Sequence, residues 1–140
     1  MPVTYLLDTN IISHLMKETA SESLNRYRAR MQSEPDCVVV TSVVVQCELM
    51  FGLTKRPSPR LQRAYALLME HLPVIGLDES VCIHYANLRT YLEQAGTPIG
   101  ANDTLIAAHA LALDATLVSA DTAFTQVPGL RLENWFEDVA

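Results

Sequence analysis

Four acidic residues in this 140-residue chain stand where solubility does not explain them. Asp8 closes the apolar run VTYLL, Glu48 lies inside VVVQCELMF, Asp103 opens TLIAAHALAL, and Asp121 follows TLVSA. Carboxylates gathered at one place repel one another strongly unless a cation sits among them. Oxygen-only ligands of this kind suit Mg²⁺ or Mn²⁺, not zinc. Such a cluster holds one or two divalent ions that generate hydroxide from water and stabilise charge on a phosphodiester. The protein then needs no nucleophile of its own, in keeping with a sequence that has no G-x-S-x-G, no P-loop and no Cys–His pair of catalytic pattern. The four histidines, His14, His71, His84 and His109, lack metal-ligand spacing, and His109, in an Ala/Leu helix, reads as a core residue. Each acid also has a plainer reading. Asp8 and Asp103 can serve helix N-termini, Glu48 can reach solvent or an arginine, and Asp121 can serve a turn.

The elements around these acids decide whether they meet. Val3–Leu7 is short and nearly all apolar, as a strand buried on both faces of a parallel sheet would be. Thr9 or Asn10 can cap the helix IISHLMK that follows Asp8. Thr19 to Glu22 fits a capping box, opening a helix through Met31 with Leu24, Tyr27 and Met31 on one side. Cys37–Thr41 is a second strand, rich in β-branched residues. Ser42 then reads as the cap of a helix from Val43 to about Leu53, ended by Gly52 and the Pro57/Pro59 segment, with continuation of the strand through the VVV as the alternative. Arg60–His71 is a helix with Leu61, Ala64, Leu67 and Leu68 inward, and Val74–Leu77 is the third strand. Asp78 caps Glu79–Ala95, whose apolar positions are Val81, Ile83, Tyr85, Leu88 and Leu92. A loop with Gly96, Pro98 and Gly100 leads into Asp103 and a helix to Leu113, then to strands at Thr116–Ser119 and Leu130–Leu132.

Short apolar strands alternating with helices predict a three-layer α/β/α sandwich with a mainly parallel sheet, as one domain over residues 1–140. Ligands in such sheets bind outside the carboxyl ends of the strands, where Asp8 and Asp121 fall. Hydrophobic residues make up 49% of the chain, which excludes a disordered or disulfide-stapled class. No apolar run approaches the ~18–20 residues of a membrane span, and MPVTYLLDTN lacks signal-peptide features. The odd cysteines Cys37, Cys47 and Cys82 read as buried thiols in a reducing cytosol. Net charge is −6 but uneven: residues 1–63 hold eight of the ten Lys/Arg, and residues 64–140 hold ten of the sixteen acids. Arg26, Arg28 and Arg30 form one basic cluster and Lys55, Arg56, Arg60 and Arg63 another. Both are compatible with RNA contact, and solvated helix faces are the alternative.

The runs YLLDTN, SVVVQCEL, PIGANDTLIAAHALALDATLV, Ser-Ala-Asp and PGLRLENW together resemble the PIN-domain ribonucleases, and within them the VapC toxins of VapBC type II toxin–antitoxin modules. The resemblance runs over nearly the whole chain. It implies a PIN-like fold and Mg²⁺ or Mn²⁺ bound by Asp8, Glu48, Asp103 and Asp121, with Thr9, Asn10 and Ser42 in support. It further implies a homodimer that cleaves RNA and so inhibits translation, with tRNA, and the anticodon region of initiator tRNA in particular, as the favoured substrate. Lys55, Arg56 and Arg60 are the candidate RNA contacts. A VapB-type antitoxin would neutralise the toxin, and DNA would be met only through that partner. Leu24, Tyr27 and Met31 beside the RYRAR run could line part of the antitoxin's groove, with core packing as the alternative. The sequence departs from the family pattern at Ser119-Ala120, where members commonly carry Thr-Asn, which bears on how the fourth acid is oriented.

Other classes fit less well. A PIN-fold nuclease acting on ribosomal or messenger RNA would carry the same acids. A non-catalytic metal-binding signalling module would need a lysine after a late strand, and none follows Lys55. A phosphatase using Asp8 as nucleophile wants a second Asp two residues on, where Asn10 stands.

Overall fold

The computed structural model describes residues 2–18 and 20–135. Its centre is a five-stranded, wholly parallel sheet in the order β3-β2-β1-β4-β5, with helices on both sides. The strands are β1 (Thr4–Leu7), β2 (Val38–Ser42), β3 (Val74–Ile75), β4 (Thr116–Val118) and β5 (Leu132–Glu133). Residues 5–7, 39–42 and 116–118 are all buried, because both sheet faces are covered. Leu7 lies level with Thr41 on one side and Val118 on the other. The chain leaves β1 for β2 in one direction and returns to β4 on the opposite side. The carboxyl ends of β1 and β4 therefore flank the point where strand order reverses, the place where open parallel sheets leave a crevice.

The helices are α1 (Thr9–Lys17), α2 (Ala20–Ser33), α3 (Val43–Lys55), α4 (Pro59–Met69), α5 (Glu79–Gln94) and α6 (Ala101–Ala112). Helix α1 turns Ile11, Ile12, Leu15 and Met16 into the core, and α6 is buried from Ile106 to Ala110. Small Ala side chains let α6 lie close against α5 and the sheet. Ser42 caps α3 through a hydrogen bond from the Val44 amide, as expected, and Asp78 caps α5 through Ser80. Gly96, with φ of 73°, ends α5 in the left-handed conformation that glycine adopts freely.

Several expectations are corrected. Asp8, not Thr9 or Asn10, is the residue before α1. Helix α3 runs through Gly52 to Lys55, since one exposed glycine costs less than the remaining hydrogen-bonded turn gains. Leu67 and Ile83 are exposed, because α4 and α5 each present only one side to the core. Of the cysteines, Cys37 alone is buried; Cys47 and Cys82 are on the surface. The fifth strand is Leu132–Glu133, slightly later than expected, and the third stops at Ile75. Thr19 of the expected capping box and the side chains of Glu22, Leu24, Arg26 and Tyr27 lie outside the described residues; Met31 packs against the core. No helix among the described residues is long and apolar enough to cross a membrane.

Candidate active site

The crevice between β1 and β4 is built on Asp8, which is only 3% exposed. Its backbone amide donates to the Val118 carbonyl at 2.9 Å, which locks the end of β1 to β4. Although Asp8 precedes α1, its side chain does not cap that helix. Oδ2 of Asp8 instead accepts from the Ser119 hydroxyl at 2.7 Å and from Asn10 Nδ2 at 3.1 Å. Burial pushes the Asp8 carboxyl up from its ordinary value, the Ser119 hydroxyl and Thr9 amide oppose the rise, and the charges of Glu48 and Asp121 add to it.

Ser119 and Asn10 tie the two strand ends together. The Ser119 oxygen also accepts from the Asp121 amide at 3.0 Å and from Asn10 Nδ2 at 3.1 Å. Asn10 Oδ1 accepts from the Ala120 amide at 3.0 Å. The loop after β4 is thus held by the Asn10 side chain and the backbone of Ala120, and an apolar side chain at 120 suffices. Ser119 was missed as a site residue from sequence. Its signal was a lone hydroxyl directly after a buried strand.

Glu48 comes from α3, whose start is fixed by the Ser42 cap. Its Oε1 accepts from the Thr9 hydroxyl at 2.6 Å, which joins α3 to the first turn of α1. Glu48 forms no ion pair, so the arginine partner considered from sequence is absent among the described residues. Ser42 does not itself reach the acids. Its hydroxyl lies 2.8 Å from Nδ1 of His109 while its oxygen receives the Val44 amide. His109 is the satisfied core histidine expected: it is 1% exposed, and burial holds its pKa below the usual value.

Asp103 occupies the first turn of α6, where the residue before the helix is Gly100 and no side chain caps it. Its carboxylate accepts no hydrogen bond among the described residues, so the capping alternative does not describe it. It is pushed up to about 6 by burial and by the charges of Asp8, Asp121 and Glu48, with no cation among these causes. Asp121 is half-buried and its Oδ1 accepts from the Ala123 amide at 2.9 Å, at the start of a short 3₁₀ turn over Thr122–Gln126. It is a turn residue that also bears on the other acids.

Asp8 therefore feels the charges of Glu48 and Asp121, and Asp103 feels those of Asp8, Asp121 and Glu48. In this arrangement each except Asp103 is turned onto local donors, and among the described residues no three acidic, histidine or cysteine side chains form a closed ligand set. The donor chemistry fits a hard divalent cation: carboxylate oxygens only, mutual repulsion, and one half-buried carboxylate without a partner. Asp8 and Asp103 would hold such an ion, with Glu48 and Asp121 beside them. Lys55, Arg56 and Arg60 are exposed, at the end of α3 and the start of α4.

The PIN domain pattern matches residues 5–130, and the chain belongs to the PIN-domain family. Its resemblance within that family is to VapC proteins. Ribonuclease VapC2 of Rickettsia felis is 34% identical over 133 residues, covering 94% of this chain and 97% of that protein. The tRNA(fMet)-specific endonuclease VapC of Salmonella typhimurium is 30% identical over 136 residues, with the same coverage. Among solved structures, VapBC2 from Rickettsia felis bound to a DNA fragment from their promoter superimposes with a TM-score of 0.84 and 32% identity, covering 95% of this chain and 99% of that one. VapBC-1 from nontypeable Haemophilus influenzae gives 0.82 and 33%, covering 95% and 98%.

Proposed function

We propose that this single-domain protein is the toxin of a type II toxin–antitoxin pair, a divalent-metal-dependent endoribonuclease that stops translation by cutting RNA. The observation that carries this reading is the gathering of Asp8, Glu48, Asp103 and Asp121 beside the ends of β1 and β4, with Asp8 held by Ser119 and Asn10, Glu48 held by Thr9, and Asp103 left without a partner among the described residues. When bound, Mg²⁺ or Mn²⁺ supplies an activated water and neutralises charge on the scissile phosphate. The protein's part is to hold and orient. Thr9 fixes the direction of Glu48, and Ser119 with Asn10 fixes Asp8.

The favoured substrate is tRNA, with the initiator tRNA anticodon region first, a reading supported by the name of the Salmonella relative. The partner is a VapB-type antitoxin, as in the solved VapBC complexes, and DNA is reached through that partner. The active form is a homodimer working in the cytoplasm. The test is to incubate antitoxin-free protein with total bacterial RNA, with Mg²⁺ or with chelator, and to map new 5′ ends. Discrete metal-dependent ends in one tRNA, absent with Asp8→Ala, are expected. Folded, metal-supplied protein that leaves all RNA intact refutes the nuclease reading.

A further inference from the structure

Helix α3 carries more than Glu48. Residues three, four and seven positions on from it share its side of the helix, and these are Phe51, Gly52 and Lys55. Phe51 is 65% exposed, more than any other large hydrophobic side chain among the described residues, one turn from the carboxylate. The Lys55 ammonium lies 5.7 Å from the centre of the Phe51 ring, and Arg56 and Arg60 continue the positive charge where α3 gives way to α4. Gly52 sits in the interior of the helix with φ in the ordinary range, and a Cβ there would meet nothing within 4 Å. A helical glycine in open space forgoes stability that alanine would supply without a clash. The space it leaves is on the surface beside Phe51 and one turn from Glu48.

We propose that this strip of α3 is a subsite for single-stranded RNA next to the cleavage centre: a base stacks on Phe51, the backbone passes over Gly52, and Lys55 with Arg56 takes the neighbouring phosphates. The chemistry favours a nucleic acid strand. An exposed aromatic ring bordered by cations is a sequence-tolerant stacking platform, and the strip begins at a carboxylate of the candidate site. Along the helix axis Phe51 is ~4.5 Å and Lys55 ~10.5 Å from Glu48, so the strand spans a few nucleotides at most. The lysine–ring contact by itself gives Phe51 and Lys55 a modest helix-stabilising role, but it explains neither the open glycine nor the alignment with Glu48.

The inference rests on the nuclease reading, and its test separates the two. Binding of a fluorescein-labelled single-stranded RNA of about twelve nucleotides is followed by anisotropy in the Asp8→Asn background, which removes cleavage from the readout. Phe51→Ala is expected to weaken binding about ten-fold, and Phe51→Trp to restore it. Gly52→Ala is expected to raise the thermal midpoint by about 2–4 °C and still weaken RNA binding, a pairing that a purely structural role does not produce. Unchanged binding by Phe51→Ala and Gly52→Ala, with the parent protein binding and the wild type cutting, overturns the subsite and leaves the nuclease reading standing. Loss of binding accompanied by a change of sedimenting mass also overturns it, and assigns the strip to contact between two copies of the chain. A parent that binds no RNA and a wild type that cuts none remove the nuclease reading and the subsite together.

Discussion

Replacing Asp103 by Asn separates a working acid from a structural one. The carboxyl is displaced from the ordinary 3.8 to about 6 by burial and three neighbouring acids. Two pH decades correspond to about 3 kcal/mol between its charged and neutral forms. Solvent screening of a half-exposed group reduces this to about 1–2 kcal/mol, and the lost attraction to the α6 N-terminus takes back about 0.3–1 kcal/mol. The net expectation is that Asp103→Asn stabilises the metal-free protein by about 1 kcal/mol at pH 7.5 while abolishing RNA cleavage. The folded-state pKa lies above the unfolded one, so the native protein is penalised when the group ionises. The penalty is absent below about pH 4, grows between about pH 4 and 6, and is complete above that. Urea denaturation in EDTA at pH 4.5 and 7.5 measures it: the variant's advantage should be present at the higher pH and reduced to about a third at the lower. Mg²⁺ or Mn²⁺ should raise the wild-type midpoint and leave the variant's nearly unmoved. An Asp103→Asn protein less stable than wild type at pH 7.5 refutes the reasoning and makes the acid a helix-terminus charge.

Other outcomes follow from the same geometry. Ser119→Ala removes the hydroxyl donor to a buried carboxylate and should cost about 1–3 kcal/mol in denaturation, with Ser119→Thr recovering most of it. Tyr5 donates to Glu34 and receives Arg30, and its phenol is pushed up to about 12, first by burial. The wild type should therefore lose stability as pH rises from about 10 to 12, a loss that Tyr5→Phe abolishes while costing about 1–2 kcal/mol at neutral pH. Asp114 follows α6 with φ of 51°. Asp114→Ala should cost about 1 kcal/mol by thermal melting, and Asp114→Asn much less.

How the site was assembled could be read only partly in advance. The periodicity of VTYLL, CVVVT and TLV marked the strands, because a parallel sheet covered on both faces demands continuous apolar runs. Each acid stood out because it interrupted such a run. The plainer readings could not be separated from the catalytic one, since an aspartate at a helix start looks the same in sequence whether its side chain caps the helix or turns away. Neither Asp8 nor Asp103 makes a side-chain capping bond, whereas Asp121 does bond to its own turn. The burial of Leu67, Ile83, Cys47 and Cys82 was misjudged because an apolar side chain on an outer helix is buried only if another layer covers that side.

The sequence by itself determined the alternation of strands and helices, the acidic set, and the absence of a protein nucleophile of recognised pattern, because these are properties of residue type and local period. Only the tertiary structure decided that strand order reverses beside β1, which brings residues 8 and 119, more than a hundred positions apart, within 2.7 Å. It also decided that Asn10 and the Ala120 backbone hold the loop after β4, that Ser42 serves His109 and not the acids, and that Asp103 is left without a partner. These are long-range pairings and shared desolvation, and no local pattern in the chain encodes either.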